Sequence, residues 1–215
     1  MLRKLIKNDF SYIKYNNLLL NELSLVKDIR KRVVLIAKFM LDKFPKLPYF
    51  WGGGHHDSYN ELVGINKNWG RLRRIEDDGC LKQEKGKLYP YSLDCSGFVT
   101  WVFINAGYKY NNKVNKDILD TRDILKLGKK YLIKDNFNII DIGDIAWMDG
   151  HVGIIINVWD RYLDIVHVSL SGEGLNMTRI DNNGFIVFDD LGEMKECKID
   201  RRGIKYFTHV IKIRY

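Results

Sequence analysis

The chain has 215 residues, with 35 Lys and Arg against 27 Asp and Glu, for a formal charge of +8. At 46% hydrophobic and 29% charged, with 18 Gly and 3 Pro, the composition excludes a disordered chain and collagen-like or linker-like material. No apolar run approaches the ~18 residues that a membrane-spanning helix needs. The length fits one large domain with a helical arm, which we place at 1–24 and 25–215. The N-terminus opens Met1-Leu2-Arg3-Lys4 without a clean apolar segment or a small-residue cleavage site behind it, so no signal peptide is expected. Cys80, Cys95 and Cys197 make an odd set, so at least one thiol lacks an intramolecular partner.

In chain order, residues 1–20 give a weak signal. Leu23, Val26, Ile29, Val33, Ile36, Ala37, Met40, Leu41 and Phe44 recur at three- and four-residue intervals and predict an amphipathic helix over 21–44, stopped by Pro45 and Pro48. The stretch 49–94 lacks periodicity, and its aromatics and glycines suit the wall of a cleft. A second helix is expected over 95–106 with Gly107 as its stop, and a short third one over 118–127. Strands follow at 144–148 and 151–159, joined by Asp149-Gly150, a strong hairpin signal. Further strands are expected at 162–169, 177–180, 185–188 and 206–215. Helices first and antiparallel strands afterwards predict an α+β domain.

The segment Leu93-Asp94-Cys95-Ser96-Gly97-Phe98-Val99 puts a cysteine in the first turn of a helix. Unpaired N–H groups and the helix dipole there favour an anion, so the thiol pKa is expected to fall. The same groups suit an oxyanion on an attacked carbonyl. A nucleophilic thiol needs a base, and His151 follows 56 residues later, at a strand start behind a tight turn. His167 stands 16 residues on, and pairing through a turn near Asp160-Arg161 brings it beside His151 as the group that orients the imidazole. Taken singly, a buried structural cysteine, a surface turn histidine and a cross-strand histidine account for the same residues.

Together these segments resemble the NlpC-type cell-wall cysteine peptidases. The match runs through Tyr49-Phe50-Trp51-Gly52-Gly53, Asp94-Cys95-Ser96-Gly97-Phe98-Val99, Gly143-Asp144, His151-Val152-Gly153-Ile154 and His167, and covers about 25–215. The resemblance implies a papain-like fold, with N-terminal helices on a central antiparallel sheet and a nucleophile at a helix N-terminus. It implies Cys95 as nucleophile, His151 as base and later acid, and His167 as its orienter. Tyr49 would shape the oxyanion site. Asp94, Ser96 and Trp51 would line the substrate site, with Asp94 also suited to cap the helix. The implied activity is hydrolysis of an amide in the peptidoglycan stem peptide, most often between D-Glu and the diamino acid, without a cofactor. The longer stretch before Cys95, with Asn68-Trp69-Gly70, resembles a subgroup and adds cleft wall. Action at the bacterial cell wall follows, by a lysin released through a membrane lesion or a catalytic fragment of a longer exported protein, and a monomer is expected.

Three other readings compete. His55-His56-Asp57 with His151 and His167 could be assembled into a zinc site, but no His-Glu-x-x-His or Cys-x-x-Cys spacing supports one. The thioester could pass to an amine or alcohol in an amidase or acyltransferase. A non-catalytic wall-binding module would have no need of all three residues. The basic clusters at Lys27/Arg30/Lys31/Arg32, Arg71/Arg73/Arg74, Lys126/Lys129/Lys130 and Arg201/Arg202 carry no nucleic-acid-binding signature, and suit solvated faces or anionic wall polymers.

Overall fold

The computed structural model describes residues 11–45, 47–55, 57–76, 83–110, 113–114, 119–170, 174–189 and 207–215. Its elements run α1 (Ser11–Ser24), α2 (Ile29–Lys43), α3 (Tyr59–Leu62), β1 (Leu72–Arg74), β2 (Leu88–Pro90) and α4 (Cys95–Ala106). After these come β3 (Lys109–Tyr110), β4 (Lys113–Val114), β5 (Gly128–Leu132), α5 (Ile133–Asn136), β6 (Ile145–Met148) and β7 (His151–Val158). The chain closes with β8 (Tyr162–Ser169), β9 (Gly174–Asp181), β10 (Ile186–Asp189) and β11 (His209–Ile213). The result is a mixed α+β fold, with helices first and a seven-stranded sheet in the order β10-β9-β8-β7-β6-β11-β5, antiparallel throughout.

The helix expected over 21–44 is two helices. The apolar spacing runs on through Leu23, Val26 and Ile29, but Asp28 is extended and its carboxylate accepts from the Lys31 N–H at 2.9 Å, which starts α2 afresh. Leu19 and Leu23 of α1 are buried in the main core, so the segment before residue 25 packs against the rest. Of the helix expected over 118–127, residue 118 lies outside the described residues, and the described part holds a 3-10 turn at Ile124–Leu127. Strand β5, with exposed Lys129 and Lys130, carried no apolar signal and forms an edge of the sheet. Cys80, Cys197, His56 and the Arg201/Arg202 pair lie outside the described residues.

Strand alternation divides the sheet. Ile145, Val152, Ile154, Val166, Val168, Ile211 and Ile213 face α2 and α4 in the main core. Ala146, Ile155, Leu163, Ile165, Ile180 and Val210 form a second cluster with Phe207 on the other face.

A buried carboxylate locks the helices to the sheet. Asp144 is fully buried; its Oδ1 accepts from Arg30 and from the Ile213 N–H, both at 3.2 Å, and its Oδ2 accepts from Lys212 at 3.0 Å and the Asp141 N–H at 2.9 Å. One side chain thus joins α2, β11 and the entry to β6, and the cost of burying its charge is met by two cations and two N–H groups. Gly143 before it has φ +83° and is faced by Arg30 and the Tyr215 hydroxyl, which explains the Gly-Asp pair.

Candidate active site

Helix α4 begins at Cys95 because Asp94 caps it. The Asp94 carboxylate accepts the Gly97 N–H at 2.7 Å and the Ser96 hydroxyl at 3.0 Å. At the other end Gly107 takes the left-handed conformation, φ +78°, and closes the helix. Two glycines allow the start of α4 to be so tightly approached. A Cβ on Gly97 would lie 2.1 Å from the Gly53 carbonyl oxygen, and one on Gly53 would lie 2.3 Å from the Ser92 carbonyl oxygen. The Trp-Gly-Gly and Cys-Ser-Gly segments are therefore two sides of one backbone contact, which the Asp94 N–H bond to the Gly53 carbonyl completes at 3.3 Å.

Tyr49 forms a bridge with Leu93, two residues before Cys95, and its ring packs against the main core. The segment is fastened by Gln83, whose amide donates to the Tyr49 carbonyl at 2.8 Å and accepts the Trp51 N–H at 2.7 Å. Trp51 itself packs with Phe50, Ile75 and Tyr91 in a separate apolar cluster. Trp69 of the Asn-Trp-Gly element meets Trp101 of α4 edge-on at 5.3 Å. The insertion thus buttresses the helix that carries Cys95.

Cys95 is 6% exposed and its thiol is free. Its Sγ lies 4.0 Å from the Gly150 carbonyl oxygen, in the turn immediately before His151. His151 and His167 meet as expected, Nε2 to Nδ1 at 2.9 Å, with rings nearly perpendicular. Phe207 stacks on His151 and meets His167 edge-on. The antiparallel pairing of β7 and β8 produces this meeting. Their ladder runs from Val158↔Leu163 to Ile154↔Val166, and a register shift between Ile155 and Asn157 is what brings His151 and His167 to the same face. By alternation the histidines belong to the face opposite α4. The thiol therefore comes to the N-terminal end of β7 from one face and the imidazole pair from the other. His167, 1% exposed, continues through Nε2 to the Thr178 hydroxyl at 2.8 Å.

The electrostatics reverse one expectation. The thiol is pushed up to about 12, not down: burial dominates, and the neighbouring Asp94 carboxylate adds to it. The backbone N–H groups of Val152, Ser96 and Cys95 act the other way, as the helix start predicts, but are outweighed. His151 is pushed down to about 4 by burial, against a smaller opposing pull from Asp94, and His167 is held well below the ordinary range by burial and by His151. At neutral pH the thiol and both imidazoles are therefore uncharged.

Two contributors, Gln83 and Thr178, were not singled out in the sequence, and a third, His55, was named there only as a zinc candidate. His55 reaches Asp94 Oδ2 and the Ser96 hydroxyl, each at 3.2 Å, so it sits on the cap of the helix that begins at Cys95. Gln83 and Thr178 are joined to the site only by contacts distant in sequence, which no local motif marks. Among the described residues, no group of three or more His, Cys, Asp or Glu side chains is placed to hold a metal ion. Two open surface depressions, one around Glu22, Lys31 and Lys38 and one around Phe137 and Trp159, are lined by none of the site residues. No family model, curated protein or solved structure matches the chain.

Proposed function

We propose that the chain is a cysteine peptidase of the NlpC type with a papain-like fold, which hydrolyses an amide bond in the stem peptide of bacterial peptidoglycan. One observation carries the reading: a free thiol at a helix start abuts the turn that leads into His151, and His151 is bonded to His167. A thiol, an imidazole and a second group that fixes the imidazole are what nucleophilic acyl transfer requires.

In this reading His151 Nδ1 takes the proton of Cys95 as sulfur attacks the carbonyl, while Nε2 stays bonded to His167. The carbonyl oxygen gains negative charge at the start of α4, where the Cys95 N–H is directed, with Tyr49 beside it. His151 then protonates the leaving amine, and water hydrolyses the thioester. Asp94, Ser96 and Trp51 border the substrate stem. The +8 charge favours a negatively charged wall as the place of action.

Digestion of purified peptidoglycan by the wild type and by Cys95→Ala tests the proposal. Peptides released by the wild type and absent from C95A are expected, and equal yields would overturn it. Mass analysis of the products identifies the bond cut, and separates hydrolysis from transfer to an amine or alcohol.

A further inference from the structure

We infer that Thr178 is a positioning residue of this site: its hydroxyl, at the end of a buried chain of hydrogen bonds, selects the tautomer in which His151 can act as a base. The inference rests on the function proposed above, and it is carried by two distances. His151 Nε2 and His167 Nδ1 are 2.9 Å apart, and His167 Nε2 and Thr178 Oγ1 are 2.8 Å apart. His167 and Thr178 are each 1% exposed, so bulk water does not compete for the bond between them.

Both imidazoles are neutral in the resting protein, so each ring carries one N–H and one bare nitrogen. A row of two such rings has two polarities. In one, His151 Nε2–H donates to His167 Nδ1, and His167 Nε2–H donates to the Thr178 oxygen. His151 Nδ1 then holds the lone pair that accepts a proton from a thiol. In the other, the hydroxyl donates to His167 Nε2, His167 Nδ1–H donates to His151 Nε2, and the proton on His151 Nδ1 blocks it as a base. The choice made at Thr178 is therefore transmitted through His167 to an atom two rings away. A hydroxyl can end the productive chain because its oxygen accepts while its own hydrogen rotates elsewhere. A methyl group at the same place can end neither chain.

The sheet explains why this residue is the terminus. Thr178 is opposite Ile165 in the β8–β9 ladder, and His167 is opposite Asn176. On one face of an antiparallel pair these are diagonal neighbours, within reach of an imidazole and a short side chain. Thr178 touches neither Cys95 nor the reacting atoms in this scheme and acts only through His167.

Nitrogen-15 NMR of histidine-labelled protein at neutral pH tests the inference, with His151→Gln and His167→Gln spectra to assign the rings. In the wild type both His151 and His167 should be protonated at Nε2 and bare at Nδ1. An Nδ1-protonated His167 in the wild type would overturn the inference without recourse to any variant at residue 178. In Thr178→Val, which keeps shape and removes the acceptor, the His167 and His151 signals should move toward the Nδ1–H form. Thr178→Ser should restore the wild-type pattern. Unchanged tautomers in T178V would overturn the inference whether or not the protein digests peptidoglycan. Where the wild type releases peptides, T178V should lower the rate about 10- to 100-fold, the range for groups that orient a metal-bound imidazole from behind, and T178S should recover most of it. Shifted tautomers in T178V with a wild type that releases no peptides would uphold the relay and overturn the peptidase reading alone.

Discussion

Lowering the pH from 7.5 to 5 should destabilise the protein through His151, and the size of the loss follows from its environment. The ring is held neutral, with a pKa of about 4 in the folded chain against 6.5 for an unhindered histidine. Between those values the unfolded chain binds more protons than the folded one, so stability rises with pH across the window. The contribution is complete above pH 6.5 and is lost as the pH falls toward 4. At about 1.4 kcal/mol per pH unit, the loss from this residue is about 2 kcal/mol at pH 5 and about 3 kcal/mol at pH 4. His151 keeps partial exposure in the fold, which makes these figures ceilings. The perturbation is His151→Gln, which cannot titrate. Urea unfolding followed by tryptophan fluorescence at pH 7.5 and pH 5.0 gives four free energies. The wild type should lose up to about 2 kcal/mol more than H151Q over that interval. Stopping at pH 5 keeps Glu61, Asp120 and Asp164 out of the comparison, since hydrogen bonds to their carboxylates hold all three below the usual carboxylate range. His209, lowered by burial and by Lys130, titrates in the same window, and His209→Gln serves as its control. Equal pH dependence in the wild type and H151Q would refute the assignment of a desolvated neutral ring.

Three further outcomes can be measured independently. Asp144→Ala leaves Arg30 and Lys212 without their shared buried partner and should cost about 3–5 kcal/mol in urea unfolding; a loss under 1 kcal/mol would show that the lock is not what joins α2 to the sheet. Gly97→Ala places a Cβ 2.1 Å from the Gly53 carbonyl oxygen, so either the loop or the start of α4 must move; a loss of roughly 1–3 kcal/mol is expected, as for overpacking elsewhere, with altered exchange of the amides around residues 94–97, and neither change would be seen if the approach is loose. Iodoacetamide labelling of the Cys95 peptide in substrate-free protein should be slow at neutral pH and should quicken about tenfold per pH unit up to pH 10; a plateau below pH 8 would mean that the helix start prevails over burial.

The start of α4 was legible in the sequence because its determinants are local. Asp94 caps, Gly107 stops, and the apolar residues between them have nowhere to go but inward. Asp149-Gly150 is as local, and the two hairpins bring the ends of β7 and β8 together, but His151 and His167 share a face only because the register shifts between Ile155 and Asn157, which no spacing in the sequence marks. The break between α1 and α2 was not legible, because the apolar interval of one helix runs into that of the next and only the cap at Asp28 separates them. Strand β5 was missed because an edge strand with outward lysines carries half of the usual pattern. Gln83, Thr178 and the place of His55 on the Asp94 cap were missed for another reason: each joins the site across the fold, by a contact with a partner that sequence spacing does not indicate. The thiol pKa was read with the wrong sign because the favourable part, the helix start, lies within three residues, whereas the burial that outweighs it is the sum of side chains from several elements.

That reversal constrains how the proposed chemistry can run. With the thiol at about 12 and His151 at about 4, the neutral pair lies far below the thiolate–imidazolium pair in the substrate-free protein. A resting ion pair waiting for substrate is therefore not the state from which attack begins. The proton must leave sulfur as the bond to the carbonyl carbon forms, so that negative charge passes to the carbonyl oxygen without residing on a desolvated sulfur beside Asp94. The N–H groups of Cys95 and Ser96 then do more for the tetrahedral oxyanion than for the thiolate, which is the differential stabilisation that accelerates a reaction. The same argument gives the neutral histidine row its purpose. An imidazole pressed down to about 4 is a weak base, so its lone pair must already face the thiol when the carbonyl arrives, and a row ordered from Thr178 through His167 would keep it there.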